Sequence, residues 1–452
     1  MHYFVNMPPG RSKNLTIVAK ATYYLPLFII TLVITLAVFS PLAHSKNVEQ
    51  TLTLSSAIAR TLEDNPQLKV FSFREQALLG KQQTQALKPR YELDFEAENF
   101  TGTGDIGTFK SAEYTLSLSS ILEMGGKRNA RIGVAKSQLD QVEAKRKITA
   151  LNLLSEVTRR YIDVIAAQER LLLANQATLL AKETLQEVKN RSKAGVTPEA
   201  EVKRAIAALE HAKLIASSEQ QQLHYSKMTL AMMWRETSPS FTRVEGNLYH
   251  FSADIDFDTL YNKVKNNPEI LTYAAEERLR DAQLRLAKTE SSANIKWSVG
   301  IKQIQDINDT ALTAGFSMPL FAAKRNTGAI IAAQAKRDEV KVKKASTLLA
   351  LRQQLYRAYA NRKQAIFNVN SLRVNIIPTL ESALDETKVA FQGGLYSYLD
   401  YLSVRQELLS AQRAMIESAT SALGYGIEIE QLIAEPLPAN QYSLTALSVK
   451  DY

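Results

Sequence analysis

Asp94, Glu96 and Glu98 place three carboxylates at alternate positions, a cluster that general acid–base chemistry could use. A period of two turns all three to one side of a strand, which suits a wetted wall better than an opposed acid and base. Gly125-Gly126-Lys127-Arg128 has the composition of a phosphate cradle. It lacks the upstream glycine of a P-loop and the Ser or Thr after the lysine. Of the five histidines, His2 and His44 fall near the N-terminus, and His211, His224 and His250 show no paired metal spacing. Met228, Met232 and Met233 share one helical stretch and read as packing against Trp234. Cysteine is absent, which removes disulfides, thiolate metal ligands, a cysteine nucleophile and a leading cysteine for lipid attachment. No catalytic, cofactor or metal constellation emerges, and the chain is not expected to be an enzyme.

The elements that would carry these residues begin after a leader. Arg11, Lys13 and Lys20 precede an almost wholly apolar run from Leu25 to Phe39, and Ala43-His44-Ser45 offers small residues for cleavage. Residues 1–45 are therefore expected to be a signal peptide, with the mature chain starting near Lys46. The alternative, an inner-membrane anchor, wants about 20 apolar residues where this run has about 16. Of the net charge of +9, three positive charges lie in the leader. The remaining excess is spread through helices without a basic block interleaved with aromatics, so nucleic acid is not an expected partner.

The rest of the chain is written twice. Asp64-Asn65-Pro66-Gln67-Leu68 returns as Asn266-Asn267-Pro268-Glu269-Ile270, and Gly125-Gly126-Lys127-Arg128 returns as Ala322-Ala323-Lys324-Arg325. Lys193-Ala194-Gly195-Val196 returns as Gln392-Gly393-Gly394-Leu395, and all three offsets are roughly 200 residues. Residues 46–250 form the first expected repeat, 251–433 the second, and 434–452 a C-terminal tail. Each repeat opens with a helix, near Leu54–Leu87 and Phe257–Thr289, interrupted early by Asn-Pro. A long helical hairpin closes each, with tips at 194–197 and 393–396. Val134 to Ala194 holds neither Gly nor Pro. Pro198 falls where a first-turn proline is tolerated, with Thr197 as a candidate cap. Pro378 is expected to kink the return helix of the second half.

Between opening helix and hairpin, each repeat carries two alternating segments, at about 91–100 and 110–119, then at about 295–304 and 310–318. Leu93, Phe95 and Ala97 alternate with Asp94, Glu96 and Glu98, and Trp297, Val299 and Ile301 with Ser298, Gly300 and Lys302. Their length of about 9–11 residues is that of a tilted strand crossing an outer membrane. Four strands cannot close a barrel, and open edges in lipid leave backbone groups without partners. Three chains would supply twelve strands around an aqueous lumen lined by the polar faces, Asp94, Glu96 and Glu98 among them. Gly125 and Gly126 then relieve the backbone where the second strand hands over to the long helix, with Lys127 and Arg128 at the membrane–water boundary. The expected fold class is an α+β membrane protein: a four-strand share of a trimeric twelve-stranded outer-membrane β-barrel, continued by a long periplasmic α-helical barrel.

Leu122-Glu123-Met124-Gly125-Gly126-Lys127-Arg128 is similar to the strand–helix junction of the CzcC-type members of the TolC-like outer-membrane factor family. Ile377-Pro378 followed by Phe391, Gly394, Ser397, Leu399-Asp400-Tyr401-Leu402 and Leu408 resembles a second stretch of that family, and the likeness runs over about residues 50–433. It implies a homotrimer in the outer membrane of a Gram-negative bacterium, with a periplasmic extension. Its implied partners are a periplasmic adaptor (membrane fusion protein), an inner-membrane pump of the resistance–nodulation–division (RND) type, and outer-membrane lipid. The implied function is a passive exit duct for heavy-metal efflux, with no cofactor. A multidrug-efflux or type I protein-secretion channel of the same fold is the alternative, and a periplasmic helical scaffold outside the membrane is the third.

The resemblance also assigns places to residues. The adaptor-docking tips would be Gly195, Val196 and Thr197 with Gly394, Leu395 and Ser397, although the glycines also read as simple turn formers. Asp400 holds the place of an acidic residue that narrows the closed aperture, where three copies form a ring attracting cations. The acidic residue one turn further on is Ser403 here. Where TolC latches its entrance with a tyrosine and an arginine, this chain has Phe391 and Tyr396, and Glu201 replaces the partnering aspartate. Phe391 cannot make that hydrogen bond and Tyr396 cannot form an ion pair.

Overall fold

The computed structural model describes residues 51–106 and 109–437. The leader and the part of the tail beyond Leu437 lie outside them. The first repeat runs through β1 (Thr51–Leu52), α1 (Leu54–Asp64), α2 (Pro66–Gln85), β2 (Glu92–Glu98), β3 (Glu113–Leu122), α3 (Lys127–Lys193), α4 (Glu199–Ala231) and β4 (Arg243–Val244). The second runs through α5 (Phe257–Val264), α6 (Pro268–Thr289), β5 (Ile295–Ile304), β6 (Asp309–Ser317), α7 (Ala322–Arg325), α8 (Thr327–Ser371), α9 (Ile377–Gln392) and α10 (Tyr398–Ile433).

Each Asn-Pro divides an opening helix in two and welds the pieces to the far end of the hairpin. The Asn65 side chain caps α2 by accepting from Gln67 N, and its amide donates to the Met233 carbonyl at 2.8 Å. Asn267 does the same in the second repeat, accepting from Glu269 N and donating to the Leu432 carbonyl at 2.8 Å. Both asparagines are buried, and proline at the first helical position removes a donor that would otherwise lack a partner. The chain reverses after each return helix at a residue with positive φ, Arg235 or Ala434.

The four long strands form one antiparallel sheet in the order β2-β3-β5-β6. β3 starts at Glu113 and runs on to Leu122, because Ser120, Ile121 and Leu122 still find partners in Trp297, Lys296 and Ile295. β2 and β6 are left as open edges.

α3 spans 67 residues, roughly 100 Å at 1.5 Å per residue. Next to the sheet the helices lie side by side in the order α2, α3, α6, α8; toward the tips α4 packs on α3, α3 on α10, and α10 on α8 and α9. No helix among the described residues is long and apolar enough to cross a membrane.

Pro378 sits elsewhere than the sequence reading put it. It lies on the outgoing arm of the second hairpin, before the turn, and not on the return helix. The arm absorbs it through one π-helical turn, Leu372–Ile376, because proline offers no N–H to the carbonyl four residues earlier. The matching arm of the first repeat, α3, is unbroken.

Candidate functional site

Strand register sorts the sheet into two chemically opposite faces. Asp94 lies across from Ser117, Ser117 from Gly300, and Gly300 from Thr313. Glu96 heads a second rung through Thr115, Lys302 and Ala311. The Asp94, Glu96 and Glu98 side chains therefore share one face with Ser119, Ser298 and Lys296. Lys302 pairs with Glu98 at 3.0 Å and with Glu113 on that face, and Ser119 Oγ donates to Asp94 at 3.0 Å. The opposite face carries Leu93, Phe95, Leu116, Leu118, Val299, Ile301, Leu312 and Phe316, all exposed. Leu312 and Phe316, on the open edge, reach 87% and 84% exposure, far beyond what one protomer in water would leave bare.

The strand–helix junction turns inward. Gly125 and Gly126 both take positive φ, and Gly126 precedes the first turn of α3. Lys127, expected at a membrane boundary, is 4% exposed and donates to Asn294 Oδ1 at 2.8 Å, with Glu290 3.4 Å away. Arg128 Nε donates to the carbonyl of Ala86. Lys127 thus ties the first junction to the second, since Asn294 sits just ahead of β5; the half-buried carboxamide and nearby carboxylate outcompete water for the ammonium.

The two hairpin tips have the same backbone and different side chains. Val196 N bonds to the Arg191 carbonyl and Leu395 N to the Ala390 carbonyl, each closing a helix over a glycine with positive φ, Gly195 or Gly394. Val196 and Leu395 project outward, at 61% and 82% exposure. Thr197 does not cap α4: Pro198 holds the cap position, and the Thr197 hydroxyl is buried at 3.4 Å from Arg191 Nε.

Asp400 stands third in α10 and forms a reciprocal capping box with Ser397. Its carboxylate accepts from Ser397 N at 2.9 Å and from Ser397 Oγ at 2.7 Å. Those bonds hold the Asp400 carboxyl below its ordinary range. The group is exposed, so it keeps a charge to present while capping. Phe391 is buried against Tyr398 and Tyr401, Tyr396 is exposed, and Glu201 is half-buried in the first turns of α4.

Arg191 is the tip residue that sequence reasoning missed. Its Nη1 donates to the Gln392 carbonyl at 2.7 Å, and its guanidinium lies 4.7 Å from the centroid of the Phe391 ring. It joins the two tips within one chain. Nothing in the run around it distinguishes it from the other basic residues of α3, and only the fold brings its partners within reach.

Among the described residues no group of three His, Cys, Asp or Glu is placed to hold a metal ion. Met233 is buried beside Trp234, while Met232 is half exposed. The geometry presents a polar sheet face, an exposed apolar sheet face and two hairpin tips, each with an outward apolar side chain.

A family model described as "Outer membrane efflux protein" matches residues 57–234 and 259–434. The cobalt-zinc-cadmium resistance protein CzcC of Cupriavidus metallidurans is 25% identical over 303 residues, which cover 66% of this chain and 71% of that one. The nickel-cobalt-cadmium resistance protein NccC of Alcaligenes xylosoxydans xylosoxydans is 25% identical over 263 residues, 57% of this chain and 59% of that one. In fold the chain is similar to CusC, solved in a study of its transmembrane channel formation, with a TM-score of 0.69 at 15% identity over 84% of this chain and 91% of CusC.

Proposed function

Because this chain belongs to the outer membrane efflux protein family, we propose that it is the exit duct of an RND-type tripartite efflux system. Three copies close one twelve-stranded barrel in the outer membrane, their helices continue it into the periplasm, and heavy-metal cations are the cargo. The observation that carries this reading is the two-faced sheet with open edges at β2 and β6. Lipid cannot satisfy the unpaired backbone groups of those edges, so the edge of one copy must meet the opposite edge of the next. Closing the ring turns Leu312 and Phe316 to lipid and the Asp94, Glu96 and Glu98 face to a wet lumen.

The helical layer has its open sides in the same places. β2 leads from α2, and α4 lies beyond α3 on that side; β6 leads into α8 on the other. A ring closed head to tail covers all of them at once. Val196 and Leu395 give each tip an apolar projection for a periplasmic adaptor. The metal cargo rests on the likeness to CzcC and NccC, whose names record cobalt, zinc, cadmium and nickel resistance. Energy comes from the pump, and the duct conducts passively.

Purification in detergent, mass measurement and planar-bilayer recording test the duct, and deletion of the gene followed by growth on Zn, Cd, Co and Ni salts with antibiotics alongside tests the cargo. A trimer that conducts and a strain sensitised to the metals are expected. A monomer without conductance overturns the duct. Sensitivity to antibiotics alone, or loss of a secreted protein, overturns the metal assignment and leaves a multidrug or protein-secretion duct.

A further inference from the structure

The seam that each return helix turns toward its neighbours repeats with one spacing. In α4 it holds Val202, Ala205, Leu209 and Ala212, all buried and all apolar. In α10 the same spacing selects Tyr398, Tyr401, Arg405 and Leu408. Arg405 lies 11 residues past Gly394, as Ile206 lies 11 past Gly195, so it stands where the first hairpin has the exposed Ile206, yet it is itself only 5% exposed. Its Nε and Nη1 are buried without a hydrogen-bond partner, and Glu201, the acidic group that acts with it on Tyr398, forms no ion pair to it. On one side lies the aromatic cluster of Phe391, Tyr398 and Tyr401, and on the other the aliphatic cluster of Ile377, Leu408 and Ala411.

The Nε and Nη1 of an arginine so placed have lost their hydration and gained no hydrogen-bond partner. Burial of an uncompensated cation is among the most expensive arrangements a helical seam can hold. Two further observations put this cost in a hairpin built to move. The arm packed against Leu408 is the one interrupted by the π-helical turn and Pro378, where bending is least resisted. The tip of that hairpin is tied to the first hairpin by Arg191, through Gln392 and Phe391.

We propose that Arg405 is a built-in destabilising charge that keeps the second hairpin only marginally packed, so that tip displacement releases its guanidinium to water. Arg191 opposes it as the clasp. Opening then needs only the loss of one hydrogen bond and one ring contact, because rehydration of Arg405 offsets the broken apolar packing.

The test compares Arg405→Leu, Arg191→Ala and the double variant in the full-length trimer. Hydrogen exchange of amides in 377–408 reads the local opening directly, and bilayer recording reads it as opening frequency, the latter resting on the exit-duct reading. Arg405→Leu is expected to slow exchange and openings about tenfold or more, since replacing an unpaired buried charge by a well-packed apolar side chain is stabilising. Arg191→Ala is expected to speed both, and the double variant to return toward wild type. Unchanged or faster exchange in Arg405→Leu overturns the proposal, because the guanidinium would then be making a stabilising contact. A wild-type protein that never conducts, with exchange still slowed by Arg405→Leu, refutes the duct and leaves the role of Arg405 standing.

Discussion

Arg131 donates from both terminal nitrogens to the two carboxylate oxygens of Glu123, a bidentate pair that bridges the turn from β3 into α3. Both side chains are largely buried. The Arg131 hydrogen bonds hold the Glu123 carboxyl below its ordinary value of 4.5, against the opposing effect of burial. A carboxylate with a depressed folded pKa adds stability that is fully present above its unfolded value. That stability is lost as pH falls through the lower folded value. Glu123→Gln is therefore expected to cost about 1.5–3 kcal/mol at neutral pH and to flatten the acid limb of a melting-temperature profile. An acid limb identical to wild type would remove this pair from the acid response.

Gly125 and Gly126 look interchangeable in the sequence and differ in space. Each has positive φ, so alanine at either costs about 1–2 kcal/mol through backbone strain. Only at Gly125 is there also a collision: an added Cβ would overlap Ser292 Oγ and lie 2.7 Å from Ser292 Cβ and 3.3 Å from the Thr289 carbonyl, while at Gly126 it meets nothing within 4 Å. Gly125→Ala is expected to lower the melting temperature well beyond Gly126→Ala. Ser292→Gly in the Gly125→Ala background should recover most of the difference, leaving the shared strain and the tight contact with the Thr289 carbonyl.

The repeat, the strand segments and the hairpin turns were legible because they rest on local chemistry. Alternation over Leu93–Glu98, proline after Asn65 and Asn267, and glycine at the tips each dictate a backbone state wherever they occur. What the sequence hid was pairing at a distance. The boundary role expected of Lys127 followed from its position beside a membrane strand, and Asn294, some 167 residues away, pulled it inward instead. Arg191 and Arg405 read as ordinary helix-surface cations until the packing of two hairpins decided that one is shared between tips and the other is buried. Pro378 was legible as an interruption, but the side of the turn on which it acts was assigned to the wrong arm.

Asp400 combines two roles that substitutions can separate. Asp400→Asn keeps an acceptor for Ser397 N and removes the charge; Ser397→Ala keeps the charge and removes half of the capping box. If Asp400 also forms the aperture ring, the first variant lowers cation preference in bilayer recordings and leaves exchange at the start of α10 nearly unchanged. The second speeds that exchange without changing preference. Loss of preference in neither variant would reduce Asp400 to a cap.

The proposed ring fixes which residues of neighbouring copies must meet, and the absence of native cysteine allows a clean test. Gln431 of α10 bonds Asn152 of α3, and Glu428, three residues earlier, bonds Arg357 of α8. Three residues back along α10 is three forward along antiparallel α3, so position 357 is level with 155 and Phe367 with 165. Arg160 bonds the Thr229 carbonyl and Arg170 bonds Glu219, so 165, midway between, is level with 224 of α4. Phe367 and Tyr225 thus lie at one height, within about one helical turn. They occupy the two open sides of the layer and are 64% and 62% exposed. By head-to-tail closure, Phe367→Cys together with Tyr225→Cys is expected to give oxidant-dependent dimers and covalently closed trimers on denaturing gels, and neither single variant should cross-link. Dimers from Phe367→Cys alone would mean that α8 faces α8, a two-fold pairing that cannot close three protomers into a tube.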